Sequence, residues 1–124
     1  MPTELDLPIA TEYAGFLVSE AHGYRSRDVL TIPAGAGKFE AGHVFGQAAN
    51  GQAAAYNNAG TGGAETAKAI LLQAVDASTK AVKATFIVRD AEVQRSMLRF
   101  SGSPADADKL AAYADLAGSH IVMR

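Results

Sequence analysis

The side chains with chemical reach in this sequence are three histidines, a few serines and several carboxylates that stand beside arginines. His22, His43 and His120 are far apart, in neither an HxxxH nor an HExxH spacing, and no cysteine is present to complete a zinc set. Isolated surface or internally satisfied histidines are expected. Ser19, Ser26 and Ser96 lack the GxSxG turn that exposes a hydrolytic nucleophile. Asp28, Asp90 and Glu92 could in principle move protons, but Arg27, Arg89 and Arg95 lie close by and ion pairing is the simpler reading. Gly35-Ala36-Gly37-Lys38 resembles the close of a phosphate loop, yet Ile32 stands where that loop needs a glycine and Phe39 where it needs a hydroxyl. Gly60–Gly63 lacks the third glycine of a dinucleotide fingerprint and precedes, rather than follows, a clear strand. Both glycine stretches read as turns, and no catalytic, cofactor-binding or metal-binding residue is assigned.

Composition narrows the partners. A chain of 124 residues fits one domain with a single modest core. Its 11 basic and 13 acidic residues leave a net charge of -2 with neither sign gathered into a run, which argues against nucleic acid. Without cysteine no disulfide can staple the fold. The opening MPTELDLPIATEY has no basic flank, and no apolar span approaches the ~18 residues of a membrane helix, so a soluble protein made in the cytoplasm, with no membrane partner, is expected.

The elements that would position these residues are mostly strands. Met1–Thr11 holds two prolines, two acids and few large apolar residues, too little to offset its ordering entropy, and reads as a flexible arm. Tyr13–Ser19 and Arg27–Pro33 read as extended segments around the polar EAHGYRS. Asn50-Gly51, which tolerates positive φ at both positions, predicts a tight hairpin between His43–Ala48 and Gln52–Tyr56. Asn57–Gly63 reads as an exposed loop. Glu65–Val75 is made of good helix formers, while Ala69–Leu72 is also the short apolar run of a buried strand, and periodicity does not separate the two. Lys80–Val88 alternates as a half-buried strand. Near the C-terminus Ser103 fits an N-cap, Pro104 the first helical position and Asp106 a capping-box acid. Leu110, Tyr113, Ala114 and Ala117 then share a predicted apolar face, Gly118 is placed to end the helix in the left-handed conformation, and His120–Met123 reads as a closing strand. The alanine-rich Ala48–Ala55 and Ala111–Ala117 suit subunit packing and an ordinary core equally. The fold class is α+β and β-rich: a small compact β domain with a C-terminal helix, divided into a flexible arm over 1–19 and a folded domain over 20–124.

The segments FLVSEAHGYRSRDVLTI (Phe16–Ile32), EAGHVFG (Glu40–Gly46), AKAILLQAVDAS (Ala67–Ser78), IVRDAEV (Ile87–Val93) and a closing HIVMR resemble, in order, the head decoration protein D family of tailed phages. His43 stands where that family tends to have a small hydroxyl residue, and Phe45 where it has leucine. The resemblance implies a β-rich homotrimer that docks on the outer surface of the expanded phage head at local three-fold positions and cements neighbouring major capsid protein subunits. It also favours a strand over Ala67–Val75, since sheet packing can override a weak helical preference.

On that basis Thr11–Ser19 is expected to add to a strand edge of the major capsid protein, with Tyr13, Phe16, Leu17 and Val18 meeting the shell. Tyr13 and Phe16 are the expected aromatic anchors. Tyr24, Arg25, Arg27 and Asp28 are the expected contacts after the arm, the last three setting its register. Three such arms on one trimer would gain attachment by avidity, and no cofactor is required. Other readings are a β-rich module elsewhere in the virion, such as the tail, or a small ligand-binding enzyme domain.

Overall fold

The computed structural model describes residues 15–23, 25–102 and 104–124. In chain order the strands are β1 (Leu17–Glu20), β2 (Arg27–Ile32), β3 (Gly37–Phe39), β4 (Val44–Gln47), β5 (Ala53–Ala55), β6 (Ala69–Leu71), β7 (Val75–Ala77), β8 (Val82–Ile87), β9 (Ala91–Val93) and β10 (Ile121–Met123). A 3-10 turn spans Arg95–Met97, and the helix α1 spans Asp106–Ala117 between β9 and β10. Among the described residues the fold is β-rich with one helix, near the C-terminus, as expected. Met1–Thr11, read as the arm, lies outside the described residues, as does Ser103. Leu17–Ser19, which the expected division assigns to the arm, is paired into the folded body.

Five strands form an antiparallel sheet in the order β2-β8-β6-β4-β5. Two apolar clusters lie against it, and the central strands feed both. Ile70, Ile87 and Val44 point into the cluster beneath α1 with Phe16, Leu116 and Ile121, whereas Leu71, Phe86 and Phe45 point into the other with Ile32 and Phe39. Burial on both faces explains why Ala69–Leu72 reads as an unbroken apolar run, and why local propensity failed to distinguish it from a helix. The same geometry makes Ile87 the buried apolar residue on the otherwise polar face of β8: Val82, Ala84 and Phe86 turn one way, and Ile87, on the side of Lys83 and Thr85, fills the opposite cluster.

The β4–β5 hairpin forms where Asn50-Gly51 predicts it, with a different turn. Gly51 N–H donates to Ala48 O (2.9 Å) and Ala48 N–H to Gln52 O (2.8 Å). Only Gly51 has positive φ, at 89°. This is a type I turn closed by a left-handed glycine, not a primed turn with both residues left-handed. Behind it the chain passes itself closely: a Cβ on Gly46 would stand 2.4 Å from Gly63 O, and one on Gly63 would stand 2.0 Å from Gln47 O. Glycine at these two positions lets the Asn57–Gly63 loop lie flat against β4.

The helix departs from expectation in three ways. It begins at Asp106, because Ala105 is still extended (ψ 161°) and caps it through its carbonyl, which accepts from Asp108 and Lys109 N–H, so Pro104 lies before the helix. Its buried residues are Ala112 and Leu116, while Leu110 is 60% exposed. The small Ala112 allows close approach to the sheet, so the alanine side packs inward and the larger Leu110 is left outside. Gly118 is right-handed (φ -63°), and the chain reverses instead at His120 (φ 63°) after the helix tightens into bonds from Ser119 N to Leu116 O and from His120 N to Ala117 O.

Candidate functional site

The first segment singled out in the sequence becomes one edge of the smaller sheet β1-β9-β10, in which β9 pairs antiparallel with β1 and parallel with β10. The register runs Leu17 to Val93, Ser19 to Glu92 and Glu20 to Ala91, with a bulge between Leu17 and Ser19. Val18 sits at the bulge and is 48% exposed. A bulge bends a strand and re-aims the extra residue, which is how a branched apolar side chain comes to face outward here. Beside it Ser19, Glu92 and Val122 stand in one row, and Val122 is 44% exposed. Ser19 Oγ donates to Glu92 Oε1 (3.1 Å) and Arg124 Nη2 to Glu92 Oε2. The Arg124 guanidinium, with help from the Ser19 hydroxyl, holds the Glu92 carboxyl below its ordinary range. The outward face of this sheet is thus two valines set around a closed polar row.

The polar turn between β1 and β2 is fixed from below. Ser26 is fully buried; its hydroxyl donates to Asp90 O (2.8 Å) and accepts from Ala21 N–H (3.1 Å). Arg89 reaches across to Arg25 O (2.6 Å) and to Asp28 Oδ2 (2.7 Å). Arg27 grips Glu20 through Nε and Nη2 at 3.0 and 2.6 Å. Asp90 supports the turn with positive φ (52°), which its short side chain tolerates better than most.

Set against the expected contact residues, the arrangement is mixed. Tyr13 and Tyr24 lie outside the described residues. Phe16 is 1% exposed and packed in the cluster under α1, so its ring is committed inside the subunit and is removed from the outward anchors. Leu17 leans on the same cluster. Val18 and Arg25 are exposed. Arg27 and Asp28 engage Glu20 and Arg89 within the chain. The expected pairing of carboxylates with arginines is found for two of the three acids, with partners set by strand pairing and not by sequence proximity: Asp28 meets Arg89 and Glu92 meets Arg124, while Asp90 acts through its backbone carbonyl, which accepts from Ser26.

Sequence reasoning missed Val29, Leu110 and Val122, which are exposed by 63, 60 and 44%. Nothing local marks them, because each sits among residues typical of its element. Of the histidines, His22 and His120 are exposed and His43 is buried. The Val44 carbonyl can only accept, so His43 Nδ1 carries the proton (3.1 Å) and Nε2 accepts from the Ser101 hydroxyl (2.9 Å). Its ring packs between Phe39 and Phe45, with centroids 4.8 and 5.1 Å away. Among the described residues no three His, Asp or Glu side chains converge as a metal site.

A cleft of about 490 Å³ runs beside Tyr56, Asn58, Gly102 and Asp108. Its polar groups answer one another. The Tyr56 hydroxyl lies 3.2 Å from Asn58 Oδ1 and 3.1 Å from Asp108 O, and Asn58 Nδ2 donates to Asp108 Oδ1 (2.9 Å). Burial, with Asp115 and Asp108 nearby, pushes the Tyr56 hydroxyl above its ordinary pKa, which keeps it a neutral donor. This is the chemistry of a brace between the chain after β5 and α1.

Residues 10–121 match the family model described as bacteriophage lambda head decoration protein D. Comparison with curated protein sequences finds no match.

Proposed function

Since the chain belongs to the bacteriophage lambda head decoration protein D family, a family of structural proteins of the phage head, we propose that it binds the outer surface of the expanded head as a homotrimer at local three-fold sites. There it bridges neighbouring major capsid protein subunits. The observation that carries the docking mode is the edge position of β1: among the described residues it is paired only on its β9 side, and its bulge turns Val18 outward. An unpaired edge carries free backbone donors and acceptors and accepts an added strand. Residues 1–14 lead directly into this strand. In the proposed mode they extend the contact onto the major capsid protein, Tyr13 serves as the aromatic anchor, and Val18 and Arg25 meet the shell beside it. Arg27 and Asp28 act one step back, holding the turn that presents Arg25.

Weak contacts multiplied over three copies become durable attachment, because the second and third are intramolecular. Dependence on the expanded shell follows if the spacing of the capsid sites matches the trimer only after expansion.

The test is co-sedimentation with expanded and unexpanded capsids of its own phage, using the full chain and a chain lacking residues 1–14. Deletion through Ser19 is unsuitable, because it would remove Phe16 from the core and most of β1. Binding of the full chain to expanded shells at three-fold sites, lost on deletion, is the expected result. Undiminished binding by the shortened chain would remove the arm from the mechanism, and equal binding to both shells would remove the dependence on expansion.

A further inference from the structure

Asn50 stands exposed at the tip of the β4–β5 hairpin and is followed by Gly51. Its side chain is folded back along the turn: Oδ1 accepts from Gln52 N–H (3.0 Å) and Nδ2 donates to Gln52 Oε1 (3.2 Å). Such a bond to the backbone two residues on closes an Asx-turn around the intervening peptide, whose nitrogen is the one that attacks in imide formation. That nitrogen belongs to a glycine, and nothing lies within 4 Å of the position a Cβ would take there. The attacking residue therefore has no side chain to obstruct ring closure, although the Gly51 N–H is held by Ala48 O at 2.9 Å and that bond must open first; the Gln52 N–H is aimed at the oxygen on which negative charge develops when the amide carbon is attacked.

We propose that Asn50 is a site of spontaneous covalent modification, converting to aspartate and isoaspartate through a cyclic imide. Gly51 N loses its proton to hydroxide and attacks Asn50 Cγ. The N–Cγ bond forms, the Cγ–Nδ2 bond breaks, and Nδ2 takes a proton and leaves as ammonia. Water then opens the ring. Attack at Cγ gives aspartate in an unaltered backbone, and attack at the α-carbonyl gives isoaspartate, in which the chain runs through the former side chain. Nothing is oxidised or reduced, and the net exchange is water in for ammonia out.

The two products differ in consequence. Aspartate keeps an acceptor for Gln52 N–H and adds one negative charge at the tip. Isoaspartate lengthens the backbone by one carbon inside the turn whose closure depends on Gly51 N donating to Ala48 O. The hairpin register is fixed by that turn, so β5, an edge strand, loses its anchor.

The chain contains its own control. Asn57 is also exposed and also accepts from the backbone two residues on, Ala59 N–H at 3.0 Å, but the residue after it is Asn58, which carries a side chain where Asn50 is followed by glycine. The experiment is incubation of the full-length folded protein at mildly alkaline pH, followed by peptide mass mapping and enzymatic methyl labelling of isoaspartate. Amide-to-carboxyl conversion at Asn50 several-fold faster than at Asn57, with isoaspartate label in the same peptide and none in the Asn50→Gln variant, is expected. Conversion at Asn50 no faster than at Asn57, or label that persists in Asn50→Gln, would overturn the assignment.

Discussion

Arg27 and Glu20 face each other as fork and carboxylate, Nε on Oε1 at 3.0 Å and Nη2 on Oε2 at 2.6 Å. Glu20 ends β1 and Arg27 begins β2, so the pair ties the smaller sheet to the larger one across the turn between them. Their side chains are 17 and 22% exposed, shielded enough for a two-bond ion pair to outweigh an ordinary surface one. Glu20→Ala is expected to cost about 1–2 kcal/mol, in the range of charge-assisted hydrogen bonds. Denaturant unfolding measures it, and a loss indistinguishable from zero would show that the turn is held without the pair.

Phe16 and Val18 are two residues apart and are predicted to separate stability from attachment. Phe16→Ala empties a core position and should cost about 3–5 kcal/mol. Val18→Asp should leave the unfolding midpoint unchanged and weaken co-sedimentation with expanded shells. Full binding by Val18→Asp would take the bulge out of the docking surface.

His43 predicts a pH dependence of definite sign. Burial is the main cause holding its pKa below the ordinary value of 6.5, with Arg99 adding to it and the Val44 hydrogen bond opposing. Arg99 is itself paired with Glu40 (3.5 Å), and Ser101 completes the polar surroundings. The unfolded chain therefore binds the proton more readily than the folded one. The stability contribution is full above the unfolded value, declines as the pH falls below it, and levels off once the pH is below the folded value. Urea midpoints taken from neutral to mildly acidic pH should fall for the native chain and stay flatter for His43→Gln. Parallel curves would rule His43 out as their cause.

Gly46 and Gly63 are predicted to tolerate no side chain. Alanine at either would drive a Cβ into backbone oxygen, and at Gly63 the φ of 112° adds strain. A loss of about 3 kcal/mol or more is expected, at the upper end of overpacking effects. Gly51→Ala, with open space around it and only positive φ to contend with, should cost clearly less. Thermal unfolding of the three variants gives the order.

How far the sequence could be read depended on whether a residue's fate is decided locally. β8 was legible from its alternation and the β4–β5 hairpin from Asn50-Gly51, since both signals come from neighbouring residues. The ordered segments quoted for the family carried the strand at Ala69–Leu71, which propensity alone left open. The helix face was misread because seven of the twelve residues from Asp106 to Ala117 are alanine or leucine distributed around the axis, so the large Leu110 drew the prediction and the small Ala112 carries the packing. Phe16 looked like an outward anchor because aromatics suit both cores and interfaces, and only the cluster formed with Leu116 and Ile121 decides between them. The Arg89–Asp28 and Arg124–Glu92 pairs span 61 and 32 residues, separations at which sequence proximity gives no guide.

The Ser19–Glu92 row has a consequence for biosynthesis, because its members are 73 residues apart. While the intervening chain is being made, β1 has no β9 to pair with, and a contact of such long range forms late. The strand proposed to meet the shell is thus completed only in a subunit whose sheets are otherwise assembled. A fragment released early would lack the β9 support that gives β1 its register and its outward valine, so incomplete chains would be poor competitors for places on the head.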